Sequence, residues 1–297
     1  MRNQMFKKLI FLGILLSSTA VMAESKPIHI VAAENFYGNI AKQIGGEYVQ
    51  VYSIMSNPNQ DPHLFSANIA TAKAIADADI IIYNGIDYDS WMDNLISANP
   101  EYTKKNKNII IIANLINKKP GNNPHIWYDP NTMLIYAKYL NQKLITFDPA
   151  HKSYYQNNLI KFNQNYQILL TKINLLKTQY QHTAVIATEP VFNDMAKVLG
   201  LNMSGDRFQL SIMNSTSPSA QDTKDFEDKL KHHQVRLLIY NKQVSNPLTQ
   251  RMQMIAKQND IPAIGVTETQ PMDQENYITW MELQLRDLDK ALSHGHN

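Results

Sequence analysis

The segment that most constrains this fold is residues 150–180, which contain neither glycine nor proline. The preceding Asp148-Pro149 pair is typical of a helix N-cap followed by the first helical residue. Apolar residues then recur at alternating spacings of four and three residues. They are Tyr155, Leu159, Phe162, Tyr166, Leu169, Ile173, Leu176 and Tyr180. This period predicts one long helix over residues 148–181 with a single apolar seam.

Short β-rich runs alternate with helix-like stretches on both sides of the long segment. Four runs precede it, at residues 28–33, 49–54, 80–83 and 109–112, and three follow it, at residues 184–187, 235–240 and 263–266. Near-continuous apolar strands between helices are typical of parallel sheets that are covered on both faces. We therefore expect an α/β fold with two parallel-sheet lobes, residues 24–147 and 182–297, joined by one long rigid helix.

The length of the central segment favours this connecting role. At 1.5 Å per residue the helix would extend roughly 48 Å, more than one small lobe needs. A coiled-coil or bundle helix remains the alternative. In open parallel sheets, ligands bind beyond the carboxyl ends of the strands, so the cleft between the lobes is the expected site.

The amino-terminal residues have the three parts of a secretory signal peptide. Arg2, Lys7 and Lys8 precede an apolar run at residues 9–16, and small residues end the segment at Ala23. Cleavage near Ala23 is expected, and it would place the mature protein in the periplasm. The chain has no cysteine, which excludes disulfides, thiolate ligands and a lipid-modified cysteine at the cleavage site.

Charge and hydropathy exclude two further classes of function. The whole chain has a formal net charge of +2, and removal of three basic residues with the signal peptide leaves 2 − 3 = −1. A protein that binds nucleic acid or an anionic membrane through bulk charge is therefore not expected. The apolar runs beyond the signal peptide are shorter than the roughly 20 residues that a membrane-spanning helix needs. We expect a soluble protein without stable membrane insertion.

Two histidines and two glutamates are the candidate ligands. His63 and His125 each follow a proline in a loop after a predicted strand, and the fixed φ of proline restricts the direction of such loops. Glu189 and Glu268 each follow a strand of the second lobe. Nitrogen and oxygen donors without a thiolate suit Zn, Mn or Fe(II). Taken singly, a histidine of this kind is often a surface residue, and such a glutamate is often a helix N-cap.

Taken together, these features resemble the solute-binding proteins of zinc and manganese ABC importers. The resemblance rests on the signal peptide, the Asp-Pro-His loop at residues 61–63, the Pro-His-Ile-Trp-Tyr-Asp-Pro segment at residues 124–130, the long helix and the two glutamates. It implies a non-enzymatic, monomeric protein that binds one divalent metal between its lobes and delivers it to a membrane permease. It also implies that the metal ligands are His63, His125, Glu189 and Glu268.

The resemblance leaves the choice between zinc and manganese open. Glu189 stands where zinc-type members usually have a histidine and manganese-type members a glutamate, and residues 117–123 contain no histidine-rich acidic loop. Both features favour manganese, yet such a donor set also binds zinc, which generally has the higher affinity. A same-fold receptor for a metal chelate or organic cofactor is one alternative, and a metal-dependent hydrolase is another. No Gly-x-Ser-x-Gly or His-Glu-x-x-His motif supports a hydrolase. The sequence does not indicate a role for His294 and His296.

Overall fold

A computed structural model describes residues 26–57, 65–98 and 108–293. The expected signal peptide with its cleavage site near Ala23 lies outside these ranges, as do His63, His294 and His296. Within the described ranges, no helix is long and apolar enough to cross a membrane.

The first sheet has four parallel strands in the order β2-β1-β3-β4. They are β1 (Ile28–Glu34), β2 (Val49–Met55), β3 (Ile80–Tyr83) and β4 (Asn108–Ile111). The helices of this lobe are Asn35–Gly45, Ile69–Asp77, Ser90–Ser97, Ile112–Leu115 and Pro130–Phe147. Glu34 and Met55 pair at the carboxyl ends of β1 and β2, so the chain leaves both strands at the same edge of the sheet.

The second sheet has the equivalent order β6-β5-β7-β8 and is also parallel. Its strands are β5 (Ala184–Ala187), β6 (Asn202–Ser204), β7 (Leu238–Asn241) and β8 (Ala263–Val266). Its helices are Asn193–Val198, Asp206–Met213, Ala220–Lys231, Pro247–Gln258 and Tyr277–Ser293. The predicted fold of two parallel sheets is confirmed. The sequence missed β6, which is a three-residue strand and too short for a periodic signal.

The central helix runs from Lys152 to Tyr180. It begins later than predicted, because Pro149–His151 forms a 3-10 turn before the α-helix. Asp148 does not cap the α-helix. Its carboxylate accepts a hydrogen bond from the Tyr155 hydroxyl at 2.8 Å and lies 2.5 Å from the His151 imidazole. Seven of the eight predicted seam residues are buried, and Leu159 is partly buried.

Both lobes pack against the central helix along its length. Asn158 donates to the Ile44 carbonyl at 3.1 Å, and Tyr166 donates to the Pro130 carbonyl at 2.8 Å. Near its carboxyl end, Lys172 forms an ion pair with Asp289 of the last helix at 2.8 Å. The buried seam joins one apolar core that includes residues of both sheets. The helix is therefore held by packing as well as by its own hydrogen bonds.

Candidate metal centre

The carboxyl ends of the two sheets bring predicted ligands from both lobes together. His125 lies after β4 and immediately before the 3-10 turn Ile126–Tyr128. Glu189 and Glu268 lie two residues beyond the ends of β5 and β8. These three side chains are almost completely buried, with relative exposures of 1%, 4% and 0%. Burying ionisable groups is costly unless they have compensating partners or bind a metal.

His125 and Glu268 meet across the cleft. The distance between His125 Nε2 and Glu268 Oε2 is 3.5 Å. Two donors that each lie about 2.0–2.1 Å from one tetrahedral ion are separated by about 3.3–3.4 Å. The observed spacing is thus close to that of two ligands of one ion.

Asn123 fixes the orientation of the His125 ring. The Asn123 side-chain amide donates to the Pro190 carbonyl at 2.9 Å, so its oxygen must face the imidazole. That oxygen lies 2.8 Å from His125 Nδ1 and 3.2 Å from the backbone nitrogen of His125. Nδ1 therefore carries the proton and donates it to Asn123. Nε2 is therefore the ring nitrogen that faces Glu268, and in a neutral imidazole it would be the nitrogen available to a metal.

Asn241 joins the two glutamates. Its side-chain nitrogen donates to Glu189 Oε2 at 2.6 Å and to Glu268 Oε1 at 2.5 Å. Its oxygen accepts from the backbone nitrogen of Gln243 at 2.9 Å, which fixes the orientation of the amide. One neutral amide therefore holds both buried carboxylates.

The backbone around Glu268 is also held by side chains. The Gln243 oxygen accepts from the backbone nitrogens of Glu268 and Thr269 at 2.6 and 3.0 Å. The Tyr128 hydroxyl donates to the Thr267 carbonyl at 2.6 Å. Asn35 exchanges two hydrogen bonds with the backbone of Gln270. Residues of both lobes therefore position this loop.

A strained loop after β3 places Tyr88 beside Glu268. Gly85, Ile86 and Asp87 have φ angles of 81°, 49° and 67°, and this left-handed region is unfavourable for a β-branched residue such as isoleucine. The Tyr88 hydroxyl donates to Glu268 Oε2 at 3.1 Å. Burial raises the pKa of Tyr88 well above its usual value, so the hydroxyl is a neutral donor.

Two more buried carboxyl groups, Glu34 and Asp89, lie on the amino-terminal side of the cleft. Burial raises the pKa of Glu34 well above its ordinary value, and the charge of the nearby Asp89 raises it further. Burial also raises the pKa of Asp89 to about 7, against the hydrogen bonds donated by the backbone nitrogens of Gly85 and Asn84. The pair therefore retains a proton near neutral pH.

The structure places only part of the predicted ligand set. His125 and Glu268 are in direct proximity, and Glu189 joins them through Asn241. His63 belongs to residues 58–64, which are not described. In the described part of the chain, no group of three or more His, Asp or Glu side chains is arranged so that it could hold a metal ion.

The sequence interpretation missed Asn241 and Tyr88. Glu189 and Glu268 were selected because they follow the carboxyl ends of strands. Asn241 is the last residue of β7 and meets nearly the same criterion. Tyr88 had no comparable signal, because its contact with Glu268 joins residues 180 positions apart. Trp127 and Phe192, which flank candidate ligands in sequence, are buried packing residues.

The family described as ZnuA, zinc-uptake complex component A periplasmic, matches residues 30–291. The chain belongs to this family. The matched region contains both sheets, the central helix and all four predicted ligand positions.

Individual relatives are similar over most of their length. The manganese ABC transporter substrate-binding lipoprotein PsaA of Streptococcus anginosus is 23% identical, with 90% of this chain and 89% of the relative covered. The metal ABC transporter substrate-binding lipoprotein SloC of Streptococcus mutans is 24% identical, with coverages of 84% and 83%. Among solved structures, the periplasmic zinc binding protein TroA of Treponema pallidum has a TM-score of 0.74 at 14% identity, with coverages of 90% and 99%. This last likeness shows that the fold is shared.

Proposed function

We propose that this protein captures one divalent transition metal ion, zinc or manganese, and delivers it to the membrane permease of an ABC importer. It acts as a monomeric binding protein in the periplasm, after signal-peptide cleavage near Ala23, and catalyses no reaction. The metal is its cargo. The proposed ligands are His63 and His125 from the amino-terminal lobe and Glu189 and Glu268 from the carboxyl-terminal lobe.

The approach of His125 to Glu268 carries this proposal. These residues lie in different lobes, are buried, and have His125 Nε2 3.5 Å from Glu268 Oε2. An ion bound between them would link residues 24–147 to residues 182–297.

The charges around the site support a cation as the ligand. Glu189 and Glu268 are buried, and the side-chain amide of Asn241 donates to both. Two buried carboxylates repel one another, and a divalent cation between them would remove that repulsion. The relatives PsaA and SloC, a manganese and a metal ABC transporter substrate-binding lipoprotein, agree with such a cargo.

Metal analysis tests the proposal directly. The wild-type protein should be purified from periplasm without added metal, and its content of zinc and manganese should be measured. Calorimetric titration of the metal-free protein with each ion should give one site per chain. The His125→Ala variant should retain its fold and lose more than about 100-fold in affinity, because a ligand is removed from a loop.

His29→Ala is the matched control for this experiment. His29 is an exposed histidine on β1 of the same lobe, and its removal should leave the affinity unchanged. Unaltered affinity in the His125→Ala variant would contradict the proposed site. A stoichiometry clearly different from one would contradict a single cleft site.

A further inference from the structure

Two asparagines of the amino-terminal lobe bind the chain segment that carries Glu268. This segment, residues 267–276, joins β8 to the last helix and contains neither helix nor strand. Asn35 and Asn39 lie four residues apart on the helix Asn35–Gly45, and residues at this spacing share one face of a helix. We call these two residues the asparagine pair.

Each member of the pair both donates to and accepts from the backbone of the other lobe. The Asn35 amide donates to the Gln270 carbonyl at 2.7 Å, and its oxygen accepts from the Gln270 backbone nitrogen at 3.2 Å. Asn39 donates to the Glu275 carbonyl and accepts from the backbone nitrogen of Tyr277, both at 3.2 Å. Four hydrogen bonds therefore attach the segment and the first residue of the last helix to the amino-terminal lobe.

Release of an ion from the site requires a movement. His125 and Glu268 are only 1% and 0% exposed, so an ion held between them has no direct path to solvent. The central helix contributes its buried seam to the core of both lobes, whereas residues 267–276 form an irregular segment, and such segments open locally at lower cost. Opening of this segment would move Glu268 away from His125, and the asparagine pair opposes that movement.

We propose that the asparagine pair controls how fast metal enters and leaves the site, by holding the segment that carries Glu268 against the amino-terminal lobe. This inference rests on the proposed function and adds regulation of the same site. The four bonds go to backbone atoms rather than to a proposed ligand side chain, so they stabilise the closed segment equally with and without metal. Such a contact changes how often the segment opens but not the equilibrium affinity for the ion.

Rate constants and affinity together separate this role from an ordinary structural one. If the pair controls opening, its loss raises the association and dissociation rate constants by a similar factor, and Kd is nearly constant. If the pair only keeps Glu268 in the correct position, its loss weakens Kd and leaves association unchanged.

Stopped-flow measurements of Zn(II) association and of chelator-driven Zn(II) dissociation test the inference in the wild type, the double variant Asn35→Ala/Asn39→Ala and Asn158→Ala. Asn158 is a matched control, because its amide donates to the Ile44 carbonyl of the same helix from the central helix. Both rate constants should rise about tenfold or more in the double variant, since four hydrogen bonds are lost, and should stay constant in Asn158→Ala. Unchanged rate constants in the double variant, or a weaker Kd with unchanged association, would overturn the inference.

Hydrogen exchange of the metal-free wild type and double variant tests the same inference without a metal. The backbone nitrogens of Glu268 and Thr269 donate to Gln243 rather than to the asparagine pair, so the substitutions do not remove their hydrogen-bond acceptor. Their exchange should nevertheless become about tenfold faster, because the whole segment opens more often. Unchanged exchange at these two amides would contradict control of the segment by the pair.

Exchange in the wild type alone decides the matter if the double variant does not fold. The backbone amides of Glu268, Gln270 and Tyr277 should share one degree of protection, because they open together. Fast exchange at Gln270 and Tyr277 beside slow exchange at Glu268 would overturn the inference. Failure of the proposed function looks different, because His125→Ala would then bind metal as tightly as the wild type.

Discussion

The two faces of the cleft hold their candidate ligands by different means. On the amino-terminal face, His125 is fixed by a hydrogen bond to Asn123 and by aromatic neighbours, with the Trp127 ring centre 5.3 Å away. On the carboxyl-terminal face, Glu189 and Glu268 are fixed by the side-chain amide of Asn241. One face offers a neutral nitrogen donor, and the other offers negative charge.

We therefore expect the two faces to contribute differently to the electrostatic attraction for a metal ion and to the pH dependence of its binding. The carboxylates supply most of the electrostatic attraction for a dication, since free carboxyl groups remain ionised down to about pH 4. Imidazole ligands supply most of the pH dependence near neutrality, because free imidazole titrates near 6.5 and must lose its proton to bind metal. Substitutions on each face and changes of pH distinguish the role of the carboxylates from that of the imidazoles.

Removal of Glu268 should cause the largest loss. Glu268 contacts His125 and Tyr88 of the amino-terminal lobe and Asn241 of its own lobe. Glu268→Ala therefore removes a proposed ligand together with contacts between the two faces of the cleft. We expect the affinity for Zn(II) to fall by more than about 1000-fold, beyond the 10- to 100-fold cost of losing a supporting residue. Calorimetry measures this change.

Glu275→Ala is the control, because Glu275 is an exposed glutamate near the same loop. If Glu268→Ala costs less than His125→Ala, the carboxyl-terminal face does not dominate the attraction, and the proposed division of roles is wrong.

Acidification should produce the next largest effect. Between pH 7 and pH 5, metal affinity should fall, because protons and the metal compete for the same nitrogen of each imidazole ligand. His125→Ala should show a shallower pH dependence than the wild type in competition titrations. A pH profile that is equally steep in His125→Ala would mean that the amino-terminal face does not control proton competition.

The buried carboxyl pair should make the metal-free protein less stable as pH rises. Glu34 and Asp89 have raised pKa values, that of Asp89 being about 7, so the folded state binds protons that the unfolded state releases above about pH 4. The destabilising contribution of Asp89 therefore grows from about pH 4 to about pH 7, and that of Glu34 also grows as the pH rises above about 4. Glu34→Gln cannot ionise and should weaken this dependence.

Urea unfolding in the presence of a chelator checks this expectation. Relative to the wild type, Glu34→Gln should gain unfolding free energy as the pH rises from 5 to 8, because the wild-type folded state retains a proton that the unfolded state has lost. Subtracting the unfolding free energy of the wild type from that of Glu34→Gln removes the contribution of groups that titrate in both proteins. A constant difference across this range would show that Glu34 holds no extra proton in the folded state.

Loss of the Tyr88 hydroxyl should have the smallest effect. Tyr88→Phe removes one neutral donor to Glu268 and should lower metal affinity by about 3- to 10-fold, because a typical hydrogen bond contributes a net stabilisation of about 1 kcal/mol. Tyr83→Phe is a matched control, because the Tyr83 hydroxyl donates to Asp93 at 2.6 Å and neither residue contacts the site. Equal effects of the two substitutions would indicate a general loss of packing in the lobe.

The sequence predicted the elements whose signal is periodic. The strands at 80–83, 184–187 and 263–266 and the seam of the central helix agree with the structure, because apolar alternation and burial share one cause. The start of the helix was misplaced because Asp148-Pro149 fits the first residues of a 3-10 turn as well as those of an α-helix.

The site was less accessible to sequence reasoning. A histidine after a strand reveals its lobe but not its partner across the cleft, and the approach of His125 to Glu268 depends on how the lobes pack. The bonds of Asn241 join the end of β7 to two residues that follow β5 and β8. The buried pair of Glu34 and Asp89 arises because β1 and β3 are neighbours in the sheet.

The central helix fixes both the distance and the relative rotation of the groups that pack along it. One residue inserted in its middle would move everything beyond it by 1.5 Å and rotate it by about 100°, so Lys172 would no longer face Asp289 while Asn158 still faced Ile44. By contrast, the exposed turn at Gly121 faces open space and can lengthen without moving either lobe. Length changes in this chain are therefore tolerable beside the metal centre but not in the helix that spans the lobes.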